Sequence, residues 1–414
     1  MCKKIWIINE YAGTPKYGMT YRHYYIAREL VKKGCEVTII SAAYSHFLTQ
    51  LPKISGKFTS EMIDGVNYFW VKVVKYPKSF CKRRVLKWFD FMFSLFRLPI
   101  KTMQKPDVIL VSPTAPFSIL PAWFWAKKFY SKLIFEVRDI WPLTLIELGG
   151  YSPSHPFVKF MGLFEKFALI KSDFVISNLP NYNLHIKELG INRNFEYLPN
   201  GISIEELVDI EPISEDLKSK IPKNKFIVGY TGKFGISNAV DDLIAAIGKL
   251  KNYNDIFFVL VGNGQEKEKL KESCSDLNNI IFFDSINKKQ IQSMLEYFDV
   301  CYIGWKKKKI YEFGVSPNKI FDYMYSGKPI LHAINTKNDI VSLANCGLTV
   351  EAENHEAIAR GIIELYKMSP QKRNSLGQNG KKYVLKYHNY EYLTDKLLSL
   401  IPQTEEASVI LIQN

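Results

Sequence analysis

The sequence predicts an α/β protein made of two consecutive doubly wound parallel sheets. Three observations predict it. Short apolar runs alternate with helical patterns along the chain. The alternation restarts after Pro199-Asn200-Gly201. Several runs end on glycine-bearing loops, and the carboxyl ends of parallel strands are where such sheets hold their ligands. At 414 residues the chain has room for two domains.

Lys4–Ile8 is a short, mostly apolar run, followed by a loop and a helical pattern from Tyr21 to Lys33 that Gly34 stops. Glu36–Ser41 is the next strand, so these pieces form a βαβ unit with a right-handed crossover. Further strands are predicted at Tyr68–Val74, Asp107–Ser112, Lys132–Val137 and Asp173–Ser177. After the restart they fall at Lys225–Tyr230, Ile256–Val261, Asn279–Phe283, Asp299–Ile303 and Pro329–His332, with a helix at Val240–Leu250. Helical patterns at Asn354–Tyr366, Ser369–Tyr387 and Glu391–Leu400 close the chain. The expected domains are 1–199 and 200–385, then a segment 386–414 whose helix returns to the first half before a frayed tail beyond Pro402. The default ligand site is the cleft between the two sheets.

Lys and Arg number 55 against 41 acids, a net charge of +14, which favours anionic partners: nucleic acid, an anionic membrane or phosphorylated ligands. No finger, ribonucleoprotein or helix-turn-helix motif supports the first. The six cysteines, Cys2, Cys35, Cys81, Cys274, Cys301 and Cys346, stand at neither metal nor disulfide-framework spacing, which fits a reducing cytoplasm. Ile5–Ile8 is too short an apolar run for a signal peptide, and no stretch reaches the roughly 18 apolar residues of a spanning helix. The expected location is cytoplasmic, soluble or peripheral.

Six stretches carry candidate chemistry. Thr231-Gly232-Lys233-Phe234-Gly235 follows a strand; glycine lets backbone N–H groups approach a phosphate and Lys233 adds charge. The plain alternative is a tight turn with a surface lysine. Gly262-Asn263-Gly264 is a second such loop, and without G-x-G-x-x-G and its distal acid it does not read as a dinucleotide site. In YEFGVSPNKIFDYMYSG (311–327), Ser316 is expected as N-cap and Pro317 at the first helical position. Asn318 and Lys319 then occupy a first turn suited to pyrophosphate, Asp322 reaches ribose hydroxyls, and Glu312 and Gly314 line a sugar pocket. A capped core helix with solvated acids is the alternative.

In FEVRDIWP (135–142) a strand runs into Arg138 and Asp139. Asp139 is the better candidate for stabilising positive charge at an anomeric carbon. Alternatively Glu136 and Arg138 form a structural ion pair. The loop Tyr11–Tyr25 holds Gly13, Gly18, Arg22 and His23, the last two suited to a phosphate on an acceptor. In Lys82–Lys101, the residues Arg83, Lys87, Asp90, Ser94, Arg97 and Lys101 recur at helical spacing as a polar stripe on an aromatic cylinder. It fits an interfacial membrane helix and a core helix with one wet edge equally.

FEVRDIWP (135–142), SPNKIFDYMYSGKPIL (316–331) and YAGTPKYGMTYRHYYIAREL (11–30) together resemble glycosyltransferase family 4 of the GT-B class, in a subgroup that builds bacterial O-antigens and capsules. The likeness spans essentially the whole chain. It implies two Rossmann-like domains facing across a cleft, with a nucleotide-sugar in the second half and an acceptor in the first. It also implies retention of anomeric configuration, and basic residues rather than a metal at the diphosphate. The donor set it implies is Gly232, Lys233, Gly262, Asn263, Ser316, Asn318, Lys319 and Asp322, with the base beside Gly262-Asn263 and backbone near Ser285–Asn287. The acceptor set is Gly18, Arg22 and His23, and the catalytic set Asp139, Arg138 and Glu312. The sequence departs from the family pattern at several places: of two glutamates eight residues apart, the first falls at Gly314, with Glu312 two residues early, and the second at Asp322; an Arg-then-Lys diphosphate pair falls at Lys233 and Asn238; and a frequent His-Asp pair falls at Arg138-Asp139.

The function expected is transfer of a hexose, N-acetylated or deoxy, from a UDP-sugar to a polyprenyl-diphosphate-linked saccharide in surface polysaccharide synthesis, at the inner face of the cytoplasmic membrane. A nucleotide-sugar co-substrate replaces any bound cofactor. Two alternatives use the same fold: a UDP-sugar 2-epimerase, and a non-catalytic nucleotide-sugar-binding partner.

Overall fold

The computed structural model describes residues 3–18, 21–77 and 81–401. Met19 and Thr20 of the proposed acceptor loop, and the expected frayed tail beyond Pro402, lie outside the described residues. The chain forms two compact units. The first holds the segment through Glu136, Leu163–Ile176 and the chain from Glu391; the second holds Val137–Gly162 and Ser177–Tyr390.

One sheet has eight strands: β1 (Lys4–Ile8), β2 (Glu36–Ala42), β3 (Phe58–Ile63), β4 (Val66–Val71), β5 (Val108–Val111), β6 (Lys132–Val137), β7 (Phe174–Ser177) and β8 (Glu196–Tyr197). Their order is β3-β4-β2-β1-β5-β6-β7-β8. The register of β1 on β2 pairs Ile5 with Val37 and Ile7 with Ile39. The β3 edge, not expected from the sequence, pairs antiparallel with β4 across the two-residue turn Asp64-Gly65. Both turn residues have positive φ, 48° and 78°, the requirement of a tight type I′ hairpin.

The second unit's sheet has six strands: β9 (Phe226–Thr231), β10 (Ile256–Val261), β11 (Ile280–Phe283), β12 (Val300–Gly304), β13 (Ile330–Ala333) and β14 (Gly347–Val350), in the order β11-β10-β9-β12-β13-β14. Every ladder in it is parallel. β9 is buried along its whole length, as an interior strand covered on both faces must be. Its side chains alternate: Phe226, Val228 and Tyr230 join the cluster with Leu243 and Ile358, and Ile227 joins the one with Phe321 and Met324. The strand order reverses between β9 and β12, so their carboxyl ends define the topological switch point at which such sheets take ligands.

In the first unit, α1 (Arg22–Lys32), α2 (Lys82–Phe96) and α3 (Ile119–Phe129) cover the sheet. The polar stripe predicted on α2 does not form a wet edge. Lys87 and Ser94 are buried, and Asp90 accepts from Lys57 and from the Val74 amide. The reason is Glu10, buried just beyond β1, whose charge draws Lys87 inward. Burial pushes the Glu10 carboxyl up to about 7 against the pull of Lys87 and Arg84. Burial likewise pulls Lys87 down to about 8 against the attraction of Glu10. The exposed side of α2 instead carries Leu86, Phe93 and Phe96 beside Arg83 and Arg97.

Candidate active site

Two glycine loops leave the carboxyl ends of β9 and β10, and they interlock. A β-carbon on Gly262 would stand 1.8 Å from the Gly232 carbonyl oxygen, so no side chain fits. The Gly232 amide donates to the Val261 carbonyl and the Gly262 amide to the Phe283 carbonyl. This corrects the expected phosphate cradle: these two amides continue the sheet ladder, and glycine serves loop-to-loop contact. Lys233 is exposed, and its carbonyl accepts from the Tyr230 hydroxyl at 2.8 Å.

Asn263 anchors the second loop. Its Nδ2 donates to Ser285 Oγ at 3.0 Å, and its Oδ1 accepts from Lys267 at 2.9 Å. Lys267 also donates to Asp284 and to the Phe283 carbonyl. Asn263 and Ser285, one from each of the stretches 262–263 and 285–287 expected around the base, are thus tied by side chains.

Lys319 is aimed at the first loop. It sits in the first turn of the Asn318–Tyr325 helix, and its Nζ donates to the Tyr230 hydroxyl at 2.9 Å and to Asn238 Oδ1 at 2.8 Å. The ammonium lies 4.4 Å from the Tyr230 ring centroid. A β-carbon on Gly232 would come 2.6 Å from this Nζ. The cation missing from position 238 is therefore delivered to Asn238 by another helix. Burial pulls the Lys319 amine down to about 7. The first turn of this helix carries no acid, whereas that of the Val240–Ile247 helix carries Asp241 and Asp242, both paired with Lys306. Of the two, only the first welcomes an anion.

Ser316 is not the N-cap. Pro317 holds that place, and Ser316 Oγ instead accepts from the Asn200 amide at 3.0 Å, while Asn200 Nδ2 donates to the Ser316 carbonyl. Asn318 is exposed at the helix start. Asp322 is buried and ion-paired with Lys288, a residue the sequence reading missed. A ribose hydroxyl at Asp322, as the sequence leads one to expect, would have to share or displace that lysine. Glu312 is exposed and caps nothing; its carbonyl accepts from Asn181 Nδ2 and Thr336 Oγ1.

Arg138 and Asp139 follow β6 directly, as the sequence predicts, and Asp139 is exposed. Its field reaches Tyr311, whose phenol is pushed up by burial and by Asp139 against a hydrogen bond with Ser237. Glu136 reaches back to the helix α1. Its Oε1 accepts from Arg22 Nε at 3.0 Å and Nη2 at 2.8 Å, and its Oε2 lies 3.1 Å from His23 Nε2. All three residues are buried, so Arg22 and His23, expected to reach an acceptor phosphate, are committed to Glu136. Gly18 has φ of 113°, and a β-carbon there would meet the Thr49 amide nitrogen at 2.7 Å, a packing role rather than ligand approach.

Two residues at the end of β12 and on β13 were not read from the sequence. Trp305 Nε1 donates to His332 Nε2 at 3.0 Å, and His332 Nδ1 faces Asp339 Oδ1 at 2.6 Å. Their signal was faint: a lone Trp after a strand and a His inside one. Among the described residues, no group of three or more His, Cys, Asp and Glu is placed to hold a metal ion.

Comparison with known proteins bears on the family and the fold. A profile described as "Glycosyl transferases group 1" matches residues 213–383, and one described as "Glycosyl transferase 4-like domain" matches residues 17–201. A protein of Escherichia coli described as a colanic acid biosynthesis glycosyl transferase, WcaI, is 23% identical over 352 residues, covering 80% of this chain and 84% of that protein. The fold matches sucrose-phosphate synthase of Thermosynechococcus elongatus with TM-score 0.72 at 15% identity, over 96% of this chain and 98% of the other. It matches Anabaena HepE, solved with UDP and glucose, with TM-score 0.65 at 13% identity, over 96% and 99%. An E. coli trehalose-6-phosphate structure bound with UDP-2-fluoro glucose gives TM-score 0.71 at 11% identity, over 97% and 99%. With both halves matched and two parallel-sheet units present, the chain belongs to glycosyltransferase family 4 and has the GT-B fold.

Proposed function

We propose that this glycosyltransferase moves a hexose from a UDP-sugar to a polyprenyl-diphosphate-linked saccharide in surface polysaccharide synthesis. The observation that carries the donor half is Lys319: a buried amine in an acid-free first turn, trained on the Gly232 loop. A donor diphosphate at that helix start gains the dipole, the amine and Lys233 together, with no metal needed. UDP in the HepE structure and UDP-2-fluoro glucose in the trehalose-6-phosphate structure support a uridine donor. The WcaI likeness supports a polysaccharide product.

In this reading Asp139 stabilises positive charge developing at the anomeric carbon, Arg138 assists at the same strand end, and the reaction retains configuration. Glu312 takes the place of the glutamate that Gly314 excludes. The acceptor rests on the first half. Residues other than Arg22 and His23 must meet its phosphates there, since those two are engaged by Glu136.

A lipid-linked acceptor places the enzyme at a membrane face. No helix among the described residues is long and apolar enough to cross a membrane. The exposed faces of α2 and α3 supply a peripheral surface. Phe96 and Phe124, both exposed, meet edge to face at 5.7 Å, with Lys128 Nζ 5.9 Å from the Phe124 ring centroid, and α2 also exposes Arg83, Leu86 and Phe93, with Arg97 just beyond its end. Apolar side chains rimmed by cations fit an anionic inner-leaflet surface.

The test is transfer from a panel of radiolabelled UDP- and GDP-sugars to a polyprenyl-diphosphate-linked sugar in anionic vesicles. Transfer from a UDP-sugar, lost in Lys319→Met with folding intact, supports the reading. Interconversion of free UDP-sugars without an acceptor, or a GDP-sugar as the sole donor, overturns it.

A further inference from the structure

A buried hydrogen-bond relay on the last strands of the second sheet ends on a half-buried indole. Asp339 starts it. Its Oδ2 accepts from the Ser342 amide at 3.1 Å and from Thr349 Oγ1, and its Oδ1 faces His332 Nδ1. Burial opposes the Asp339 charge, but the hydrogen bond from His332 leads the contacts that hold its carboxyl below the usual carboxylate range. His332 is fully buried on β13. Across from Asp339, its Nε2 meets the indole N–H of Trp305. An indole nitrogen is only a donor, so His332 Nε2 must accept, and the ring proton sits on Nδ1, pointed at Asp339. The relay thus has one consistent polarity, and its output is a fixed indole plane.

Trp305 is the first residue beyond β12, and its amide still donates to the Ala333 carbonyl. β12 borders β9 at the switch point. The indole leans on Tyr311, centroids 4.9 Å apart at 55°. The Tyr311 phenol lies near enough to Ser237 and Asp139 for both to bear on its titration. Ser237 precedes Asn238, the residue that holds Lys319. Trp305 and Tyr311 thus form an aromatic wall beside the switch point, with Ser237 and Asp139 bearing on its Tyr311 end. Core packing alone does not call for a three-residue polar relay that aims one half-buried indole.

We propose that Trp305 and Tyr311 form the platform on which the donor's sugar ring stacks through its apolar C–H face, and that His332 and Asp339 are positioning residues that hold Trp305 in place. The inference rests on the UDP-sugar reading above. A sugar carried over this wall has its anomeric carbon between the Lys319 end and the Asp139 end. The wall rewards donors with an extended apolar face, such as 6-deoxy or N-acetylated hexoses.

Calorimetric titration of the full chain with UDP, UDP-glucose, UDP-N-acetylglucosamine and a UDP-6-deoxyhexose tests it. Wild-type protein should bind at least one UDP-sugar more tightly than UDP. Trp305→Ala should weaken that sugar nucleotide tenfold or more and leave UDP within twofold. Trp305→Phe, which keeps a ring and loses the N–H, should recover part of the loss. His332→Gln should weaken the sugar nucleotide in the wild-type background and have no further effect in the Trp305→Phe background, a pattern that general loosening of β13 would not produce. Equal weakening of UDP and UDP-sugar by Trp305→Ala, or a wild-type preference unchanged by it, overturns the platform while the donor reading stands. Failure of wild-type protein to bind UDP at all overturns the donor reading itself. If Trp305→Ala does not fold, Trp305→Phe and the His332→Gln pair decide the question alone.

Discussion

Gly314 and Pro180 are in contact so close that a β-carbon on Gly314 would lie 2.3 Å from Pro180 Cδ. With φ of 98°, Gly314 is also in a backbone region that side chains avoid. The amide of the next residue after Pro180, Asn181, donates to the Phe313 carbonyl, which fixes the approach. Restoring the family glutamate by Gly314→Glu should therefore destabilise the protein by ~2 kcal/mol or more rather than improve activity. Denaturant midpoints with activity assays check this; a stable, more active variant contradicts it.

Glu136 closes on Arg22 and His23 inside the first unit. Glu136→Ala leaves the buried Arg22 guanidinium, and His23 beside it, without their carboxylate. The expected loss is about 3–5 kcal/mol of stability. Thermal unfolding measures it. A variant as stable as the parent, with only acceptor KM raised, would return Arg22 and His23 to the acceptor site.

Donor binding should take up a proton. Burial pulls the Lys319 amine down to about 7 before any donor binds. A diphosphate beside it raises that value, so above about pH 7 the amine is uncharged before binding and charged after. UDP-sugar affinity then falls as pH rises from 7 toward the bound-state value. Lys319→Met should flatten this slope. Titrations in buffers of different ionisation enthalpy read the proton count directly. The same depressed value has a consequence for folding: the unfolded chain, with its lysine near 10.5, binds the proton over this range and the native chain does not. This group's contribution to stability therefore rises with pH between about 7 and 10.5.

The α2–α3 face makes a separate prediction. Vesicles with anionic lipid should float the protein, and salt should weaken the capture. Phe93→Ser with Phe96→Ser should reduce flotation severalfold, and Arg83→Glu with Arg97→Glu should remove its salt dependence. Flotation unchanged in both variants excludes this face.

Much of the fold was legible because buried parallel strands read as apolar runs. Lys132–Val137 and Ile256–Val261 are found at the predicted bounds. β3 was missed because Phe58–Ile63 mixes Thr, Ser and Glu along an edge strand, although the Asp-Gly pair at 64–65 is a hairpin signal. At the site, Arg138, Asp139, Lys233 and Lys319 fall at strand and helix ends, and chain order is enough to place such ends. The partners of Glu136, Glu10 and His332 lie far away in sequence, at Arg22, Lys87 and Trp305. Helical periodicity assigned Lys87 to the wet side of α2 because it cannot see a buried carboxylate on another element.

The interlock of the Gly232 and Gly262 loops has a practical consequence for anyone redirecting this enzyme to a new nucleotide. Two backbones in such contact cannot adapt independently, so most substitutions at either glycine will be lost at folding, before any donor is presented. In the proposed donor reading, the adaptable margin lies in the bonded pair Asn263 and Ser285 and in Lys288, which pairs with Asp322. A library confined to those three positions keeps the scaffold constant and lets selection act on recognition alone.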